Sequence, residues 1–250
     1  MIRLLSAAFI FSFAVLTVKA AEPAKKPGDA TGWVELLQTG EASPWRKIDA
    51  GWVFADDAGL DTDKPARLKA KGEGRSWVNG EKGHVSDLVT KKEFKDVEVH
   101  VEFMMGKNSN SGIKFHAMYE IQFRDTANNK GELSGDDCGG IYPRAEDKPR
   151  YHHIDKGIGP KVNAAKPAGE WQTLEVTFQS ARFDDKGEKT TNAKIVKATL
   201  NGKLIHEDQE LKTPTGSNWT KKEKANGPFM LQADHGPVAF RNVKIREIAK

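Results

Sequence analysis

The fold is decided by two segments, VEVHVEF at residues 97–103 and IKFHAMYEIQFR at residues 113–124. Apolar and polar side chains alternate along most of both. Because successive side chains of a β-strand point to opposite faces, this alternation is typical of strands with one buried face. The two segments therefore predict strands of an antiparallel sheet, and they are the basis for the interpretation of the rest of the chain.

Similar segments occur farther along the sequence. Residues 174–178, 229–233 and 238–248 show strand patterns. Asn201-Gly202 lies between two more such segments and predicts a hairpin, because both of its turn positions favour a positive φ. No stretch of the sequence keeps a helical period for three turns. The chain is predicted to be all-β, a β-sandwich (jelly roll) of two antiparallel sheets.

The N-terminus has the composition of an export signal. Arg3 provides a positive start, residues 4–18 are almost entirely apolar, and Val18-Lys19-Ala20 has small residues where a signal peptidase recognises its substrate. An apolar run of roughly 15 residues is short for a membrane span of about 20. We expect residues 1–20 to be a signal peptide and the protein to be exported, periplasmic or extracellular, with no membrane association after cleavage.

Composition predicts a single domain after this signal. Residues 21–31, AEPAKKPGDAT, are typical of a flexible leader, and residues 32–250 have the length and pattern of one β domain. Cys138 is the only cysteine. An exported protein with one cysteine has no internal disulfide, so its core must stabilise it. We expect this thiol to be buried rather than nucleophilic.

The charge of the chain does not suggest a polyanionic partner. The net charge is +4 for the 250 residues, with 39 basic and 35 acidic side chains of interspersed sign. Loss of Arg3 and Lys19 with the signal would reduce the charge to about +2. This balance argues against binding to nucleic acid or to an anionic membrane.

Residues 113–123 gather polar side chains on one predicted sheet face. A hairpin that turns through residues 117–119 would place His116 opposite Glu120. The same register would place Lys114 opposite Gln122 on that face. A base, a carboxylate, an amide and an ammonium would then lie together. An ordinary solvated face with cross-strand pairs explains the composition equally well.

The same strand has a spaced set of carboxyl and amide groups. The pattern Glu120-x-Gln122-x-x-Asp125 is similar to the Glu-x-Asp-x-x-Glu strand of laminarinase-like glycoside hydrolases. A retaining glycosidase needs two carboxyl groups about 5–5.5 Å apart. Because the middle position is an amide here, a conventional double-displacement mechanism is the least favoured interpretation.

A second candidate cluster is QADHGP at residues 232–237. His235 is a natural base near neutral pH, and Asp234 or Glu120 could orient it. Gly236-Pro237 predicts a turn that would place His235 at a strand end. The alternative is a structural turn histidine, with Arg241 in a structural ion pair.

One group of residues in the long loop suggests possible metal ligands. His152, His153 and Asp155 lie near Asp136-Asp137 within the long loop 126–169, but the spacing fits no closed zinc pattern. Exposed loop residues are the favoured interpretation, although a divalent metal at the carboxylates stays open; the sequence requires no cofactor.

Tryptophans can provide platforms for sugar rings. Trp77 and Trp219 lie in polar stretches and are the candidates for exposed platforms. Trp33, Trp45 and Trp52 lie in the first predicted strands, where packing in the core is expected.

Several short motifs occur in an order that resembles one family. They are Gly51-Trp52-Val53 through Gly59-Leu60, Leu88-Val89-Thr90, Asn110-Ser111-Gly112-Ile113, Tyr119-Glu120-Ile121-Gln122, Ile141-Tyr142, Gly169-Glu170-Trp171-Gln172, Asn201-Gly202, Leu231-Gln232-Ala233-Asp234-His235-Gly236 and Phe240-Arg241-Asn242-Val243. Together they resemble the 3-keto-disaccharide hydrolase domain family over about residues 32–248. The resemblance implies a concanavalin A-like jelly roll related to laminarinase-type folds.

The resemblance also implies an activity. Some members of the family cleave glycosides that carry a ketone at carbon 3, so the expected partner is a carbohydrate. A 3-ketone acidifies the proton on carbon 2, and a modest base can then start a β-elimination. A noncatalytic, lectin-like glycan-binding module is the alternative function.

Site residues follow from this resemblance as hypotheses. His235 and Glu120 would be the acid–base pair, and Gln122 and Lys114 would hold the keto oxygen or the enolate. The remaining candidates are secondary catalytic residues or sugar-binding residues: His116 and Asp125 in the first group, and Asn110, Tyr142, Arg241, Trp77 and Trp219 in the second.

Overall fold

The structure is a computed structural model that describes residues 32–80 and 83–248. The predicted signal peptide and leader, residues 1–31, lie outside the described residues. Within the described ranges, no helix combines the length and hydropathy that crossing a membrane would need.

The described residues form β-strands and one short 3-10 helix, at Ser217–Thr220. The strands are β1 (Val34–Glu35), β2 (Val53–Leu60), β3 (Leu68–Val78), β4 (Leu88–Phe94), β5 (Val97–Met105), β6 (Asn110–Phe115), β7 (Tyr119–Arg124), β8 (Ala145–Glu146), β9 (His152–His153), β10 (Gln172–Gln179), β11 (Arg182–Phe183), β12 (Lys189–Thr191), β13 (Ala193–Leu200), β14 (Lys203–Leu211), β15 (Gly227–Gln232) and β16 (Val238–Glu247).

Two antiparallel sheets make up the body of the protein. The larger has the order β14-β13-β10-β5-β16-β3-β2, with β1 paired to β16, and the smaller has the order β4-β15-β6-β7. Aromatic stacks join their facing sides. Phe103 of the larger sheet stacks on Phe123 of the smaller one at 3.7 Å between ring centroids, and Phe178 stacks on Phe115 at 4.4 Å. The predicted all-β sandwich of the concanavalin A-like type is confirmed.

The alternation that predicted the fold has the expected physical result. Val99, Val101 and Phe103 are buried in the core, while the polar residues between them lie on the outer side of β5. The hairpin at Asn201-Gly202 is also confirmed, because both residues have a positive φ, 51° and 78°, between paired strands β13 and β14.

The register of the hairpin β6–β7 differs from the predicted one. The turn passes through His116, Ala117 and Met118, so that Lys114 lies opposite Glu120. His116 and Ala117 both adopt a positive φ, 55° and 52°. The predicted pairing of His116 with Glu120 is therefore wrong. His116 turns into the interior instead and lies edge-on to Phe178.

The long loop covers the β7 side of the outer face of the smaller sheet. The long loop 126–169 folds back along the free edge of β7, where Ile141 bridges to Ile121. The backbone of Gln122 is bonded on both sides by this loop, from Gly139 and to Gly140. The loop thereby buries Glu120 and Gln122 and forms one wall of a cavity.

The tryptophans are distributed differently from the prediction. Trp77 is only 2% exposed and packs against Trp52 and Phe54, so its assignment as an exposed platform is wrong. Near the end of β3, Trp77 pairs with Phe240 of β16, and its side chain lies in the core. Trp45 and Trp52 are buried as expected.

Candidate active site

A cavity of about 420 Å³ opens on the outer face of the smaller sheet. Side chains from β6, β7 and β15, from the loops around them and from the 3-10 helix line it: Asp87, Asn110, Lys114, Glu120, Tyr142, Tyr151, Gly216, Ser217, Asn218, Gln232, Asp234 and His235. Lys114, Asn110 and Gln232 share this face because the register of β6 with β15 puts alternate residues on the same side. The sheet therefore provides the floor, and the loops provide the walls.

An ion pair lies on the floor of the cavity. Lys114 Nζ is 3.1 Å from Glu120 Oε2, and both side chains are largely buried. Gly112, opposite Gln122, leaves room for this carboxylate, because a Cβ there would lie 2.9 Å from Glu120 Oε1. Burial raises the pKa of the Glu120 carboxyl, although the nearby ammonium opposes the shift.

The ammonium of Lys114 faces several carboxylates. Burial alone lowers the pKa of Lys114, but the charges of Glu120, Asp87 and Asp234 outweigh it, and the pKa is raised. For the nearby Asp87 carboxyl, burial raises the pKa. This carboxylate accepts a hydrogen bond of 2.8 Å from the backbone N–H of Ala233. A positive side chain is thus fixed at the centre of an otherwise acidic cavity.

His235 stands at the mouth of the cavity in an exposed turn. Its Nδ1 is hydrogen-bonded to the carboxylate of the adjacent Asp234. An imidazole that donates from Nδ1 has its lone pair on Nε2, which is the arrangement of a general base. His235 Nδ1 also lies 3.3 Å from Gln232 Nε2, so the end of β15 lies against the imidazole ring.

A buried asparagine holds this turn. Asn79 donates hydrogen bonds to the carbonyl groups of Ala233 and Gly236, at 3.0 and 2.8 Å. Its Oδ1 accepts a third bond, 2.9 Å long, from the N–H of Val238. These bonds fix both ends of the segment that carries His235.

Two tyrosines of the long loop, Tyr142 and Tyr151, form another part of the cavity wall. The backbone N–H of Tyr142 donates to the carbonyl of Glu120 at 3.1 Å, which fixes this residue beside β7. The Tyr142 hydroxyl lies 3.1 Å from the Tyr151 hydroxyl and 2.9 Å from His153 Nε2. Tyr142 is half-buried, whereas His153 is exposed to solvent.

The structure brings together six of the residues that the sequence singled out. They are His235, Asp234, Glu120, Lys114, Asn110 and Tyr142, and all line this cavity. Sequence reasoning missed Asp87, Tyr151, Ser217 and Asn218, because they lie in irregular segments whose proximity depends on the tertiary fold. Asp87 directly precedes one of the short motifs at residues 88–90, which is the only signal that pointed to it.

Several other predicted residues lie elsewhere. Gln122 is fully buried under the loop 126–169, with its Nε2 3.4 Å from Asp136. Asp125 accepts a 3.0 Å hydrogen bond from the N–H of Asn108 at the end of β7. His116 is only 6% exposed, and burial lowers its pKa.

Arg241 and Trp219 also lie outside the cavity lining. Arg241 is on the larger sheet, where its Nε is 2.6 Å from Glu102 and its guanidinium lies 4.1 Å from the Trp171 ring centroid. It forms the structural ion pair that was the alternative prediction. Trp219 is half-buried, and the guanidinium of Arg144 lies over its ring, 5.4 Å from the ring centroid.

The metal hypothesis finds no assembled ligand set. In the part of the chain that the structure describes, no three His, Cys, Asp or Glu side chains are grouped to hold an ion. Asp155 pairs with Arg144 at 2.6 Å, and Asp136 pairs with Arg124. His153 contacts Tyr142 instead of a carboxylate.

A second groove, of about 320 Å³, lies on the outer face of the larger sheet. Its charged side chains pair with one another across strands. Arg246 pairs with Glu98, and His100 Nδ1 lies 3.6 Å from Glu175. The cavity on the smaller sheet is the better candidate because it combines an oriented imidazole with a buried ammonium.

The family model of the 3-keto-alpha-glucoside-1,2-lyase-like domain matches residues 27–246, most of the chain. The chain belongs to this family. The lyase-like domain thus spans both sheets and every residue of the cavity, and its family is carbohydrate-active.

Solved structures agree with the fold of this lyase-like domain. A protein of Parabacteroides distasonis ATCC 8503, provisionally assigned as a glycosyl hydrolase, has a TM-score of 0.57 at 22% identity, over 87% of this chain and 84% of its own. Another from the same organism, with the same assignment, has a TM-score of 0.51 at 17% identity, over 88% and 90%. At these identities the similarity establishes a common fold. Among curated proteins, none is significantly similar to this lyase-like domain.

Proposed function

We propose that this domain cleaves 3-keto-glycosides by elimination, with net hydrolysis after water adds to the product. The observation that carries the proposal is the single cavity that holds the His235 imidazole and the Lys114 ammonium. Membership of the lyase-like family supports the same class of substrate.

The chemistry requires a base, a stabiliser of negative charge and a proton for the leaving oxygen. A ketone at C3 acidifies the proton on C2. When a base removes that proton, the electron pair of the C–H bond delocalises onto the C3 oxygen as an enolate. The enolate then collapses, the C1–O bond breaks, and the oxygen leaves with the bonding pair. Water adds to the resulting C1=C2 bond and gives the free 3-keto sugar.

His235 is the proposed base for the first step. Its Nδ1 is held by the Asp234 carboxylate, so Nε2 can accept the C2 proton. The carboxylate also stabilises the imidazolium that forms, since the two groups then carry opposite charge. The exposed position of the ring leaves it within reach of a sugar bound in the cavity.

Lys114 is the proposed stabiliser of the enolate. Its ammonium is positive in the cavity, and a fixed positive charge near the C3 oxygen acts where charge develops in the transition state. Glu120 was predicted as the acid partner of His235, but its 3.1 Å contact with Lys114 favours a role in holding this ammonium. Gln122 is buried under the loop 126–169 and does not line the cavity, so we assign the enolate contact to Lys114 alone.

The test uses a 3-keto-glucoside in D₂O and follows products by NMR. Elimination removes the C2 proton, so the released 3-keto-glucose is expected to carry deuterium at C2, or the unsaturated sugar is expected to accumulate. Direct hydrolysis would keep the C2 proton. The free 3-keto-glucose, incubated alone and with the protein, measures exchange that occurs after cleavage.

Two variants test the assigned groups. His235→Gln and Lys114→Met are each expected to reduce turnover about 10²–10⁴-fold. His100→Asn is the matched control, because His100 lies on the outer face of the larger sheet, and its turnover should equal that of the wild type. Binding of an unoxidised glycan without turnover of any 3-keto-glycoside would overturn the proposal and favour the lectin-like alternative.

A further inference from the structure

Tyr142, which lines the same cavity as His235, carries a hydroxyl that the proposed elimination has not yet used. We propose that Tyr142 is the catalytic residue that protonates the departing C1 oxygen, and that His153 resupplies its proton from solvent. This inference rests on the proposed elimination, which needs a proton for the leaving oxygen as well as a base for C2.

Tyr142 is fixed at the reacting site by its backbone. Its N–H donates to the carbonyl of Glu120, and the preceding residue, Ile141, bridges to Ile121 of β7 and to Ile158. The tyrosine is therefore tied to the strand that carries one partner of the floor ion pair. These contacts fix the backbone from which the Tyr142 side chain reaches the cavity.

The hydroxyl of Tyr142 contacts two groups, from Tyr151 and His153, that can donate to its oxygen. Tyr151 donates its hydroxyl proton to the Tyr142 oxygen at 3.1 Å, and His153 Nε2 lies 2.9 Å from the same oxygen. When both neighbours donate to this oxygen, the Tyr142 proton is free to point at a ligand. Burial raises the pKa of the Tyr142 hydroxyl, so this group stays protonated at neutral pH until a stronger base, the leaving alkoxide, takes the proton.

His153 connects this buried hydroxyl to water. Its ring lies edge-on to Tyr142, with 5.1 Å between centroids at 87°, and the residue is exposed. Imidazole exchanges protons with water readily near neutral pH. The pair thus places a solvent-linked proton carrier directly behind a hydroxyl that faces the cavity.

The steps balance in protons and electrons. As the C1–O bond breaks, its electron pair goes to the oxygen, which takes the proton from the Tyr142 hydroxyl. The phenolate takes a proton from His153 Nε2, while the other ring nitrogen gains one from water. The C2 proton held by His235 returns to solvent, and when water adds to the product, its hydroxyl bonds to C1 and C2 takes a proton from solvent.

Four other groups that line the cavity are less suited to this role. Lys114 and Glu120 are bound to each other in the floor ion pair. Asn218 has an amide with no acidic proton. Tyr151 gives its proton to Tyr142, so the chain of hydroxyls ends at Tyr142.

A series of leaving groups tests the proposal. The full-length protein and its Tyr142→Phe variant are assayed with 3-keto-glucosides whose aglycones range from simple alcohols to 4-nitrophenol. A poor leaving group needs its proton as the bond breaks, whereas nitrophenolate leaves without one. We expect Tyr142→Phe to lose about 10²–10⁴-fold in kcat on the alkyl substrates and about tenfold or less on the nitrophenyl substrate.

Two more variants separate proton transfer from packing. Tyr151→Phe removes the neighbouring hydroxyl but keeps the Tyr142 proton, so its effect should be similar for all leaving groups. His153→Gln can still donate a hydrogen bond to Tyr142 but cannot relay a proton, so its kcat should fall on the alkyl substrates and recover when imidazole is added. An equal loss on all substrates in Tyr142→Phe, or no recovery of His153→Gln by imidazole, would overturn the respective half of the proposal.

The two proposals fail in different ways. If the wild-type protein leaves every 3-keto-glucoside intact, the proposed function is wrong and the leaving-group test has no signal. If the wild type is active and incorporates deuterium at C2, but Tyr142→Phe shows no dependence on the leaving group, elimination stands and the assignment of Tyr142 is wrong.

Discussion

Lys114 Nζ and Glu120 Oε2 lie 3.1 Å apart across the hairpin β6–β7, on directly opposed residues. The contact exists because the chain turns through residues 116–118, one residue earlier than the predicted turn. Side chains on a strand alternate between faces, so this shift decides which residue faces Glu120. The cavity consequently has an ammonium at its floor in place of an imidazole.

Removing the ammonium should destabilise the protein. Lys114→Met leaves the Glu120 carboxylate buried without its counter-charge, and breaking a buried pair from one side costs about 3–5 kcal/mol. Chemical denaturation at pH 7 measures the loss. The exposed pair of Lys156 and Glu132 provides the control: Lys156→Met should change stability by about 0.5 kcal/mol or less. Equal stability losses in both variants would contradict the assignment.

The deficit of Lys114→Met should depend on pH. Burial already raises the folded-state pKa of Glu120 above the ordinary value of 4.5, and loss of the opposing ammonium raises it further. A carboxyl group with a higher pKa in the folded than in the unfolded protein stabilises the folded state at pH values below its unfolded-state pKa. This contribution to stability is lost as pH rises through the folded-state pKa. The variant should thus come closest to the wild type near pH 4–5. Denaturation curves between pH 4 and 8 check the sign, and a deficit that grows toward acid pH would refute it.

Asn79 should be a positioning residue for His235. Asn79→Ala removes three hydrogen bonds and leaves the buried N–H of Val238 without its partner, at a cost of about 2–4 kcal/mol. Because the freed turn carries His235, kcat on a 3-keto-glucoside should fall at least tenfold at temperatures where the variant remains folded. Asn192 is half-buried outside the cavity lining, with its side-chain amide 3.4 Å from Glu210, so Asn192→Ala should match the wild type in both measurements. Lost stability with unchanged kcat would show that Asn79 acts only on the fold.

Trp77 should act through the core alone. Trp77→Ala opens a cavity between the ends of β2, β3 and β16 and should cost about 3–5 kcal/mol. The half-buried Trp33→Ala should cost less. Thermal unfolding measures both, and glycan affinity of the folded Trp77→Ala protein should not change. A selective loss of glycan affinity would restore the platform hypothesis.

Cys138 should be inert in the folded protein. It is 1% exposed, and burial raises the pKa of its thiol to about 12, so little of the reactive thiolate is present. An aromatic disulfide reagent should label it only as fast as the protein opens, and denaturant should accelerate labelling by orders of magnitude. Fast, stoichiometric labelling of the native protein would place the thiol at the surface.

The prediction of strands succeeded where burial follows a local period. Val99, Val101 and Phe103 alternate with polar residues because one face of β5 packs on the smaller sheet. It failed at Trp77, since the stretch around it is mostly polar while its neighbours in space, Trp52 and Phe240, are distant in sequence. Sequence patterns record the periodicity of a strand but not the elements that later cover it.

The candidate site shows the same division. His235, Glu120, Lys114 and Tyr142 were visible in the sequence, because they lie in motifs or on strands with a clear alternation. Their convergence was not visible. It depends on β15 lying between β4 and β6, and on the loop 126–169 folding over β7.

The sequence by itself determined the class of fold, the hairpin at Asn201-Gly202 and the residue types available for chemistry. These features arise from the two-residue period of strands and from the φ preferences of single residues. Only the tertiary structure decided that Lys114 faces Glu120, that Asn79 holds the turn of His235, and that Tyr142 meets His153. Such contacts join residues far apart in sequence or depend on a one-residue choice of turn, and the packing of the two sheets and the long loop settles both.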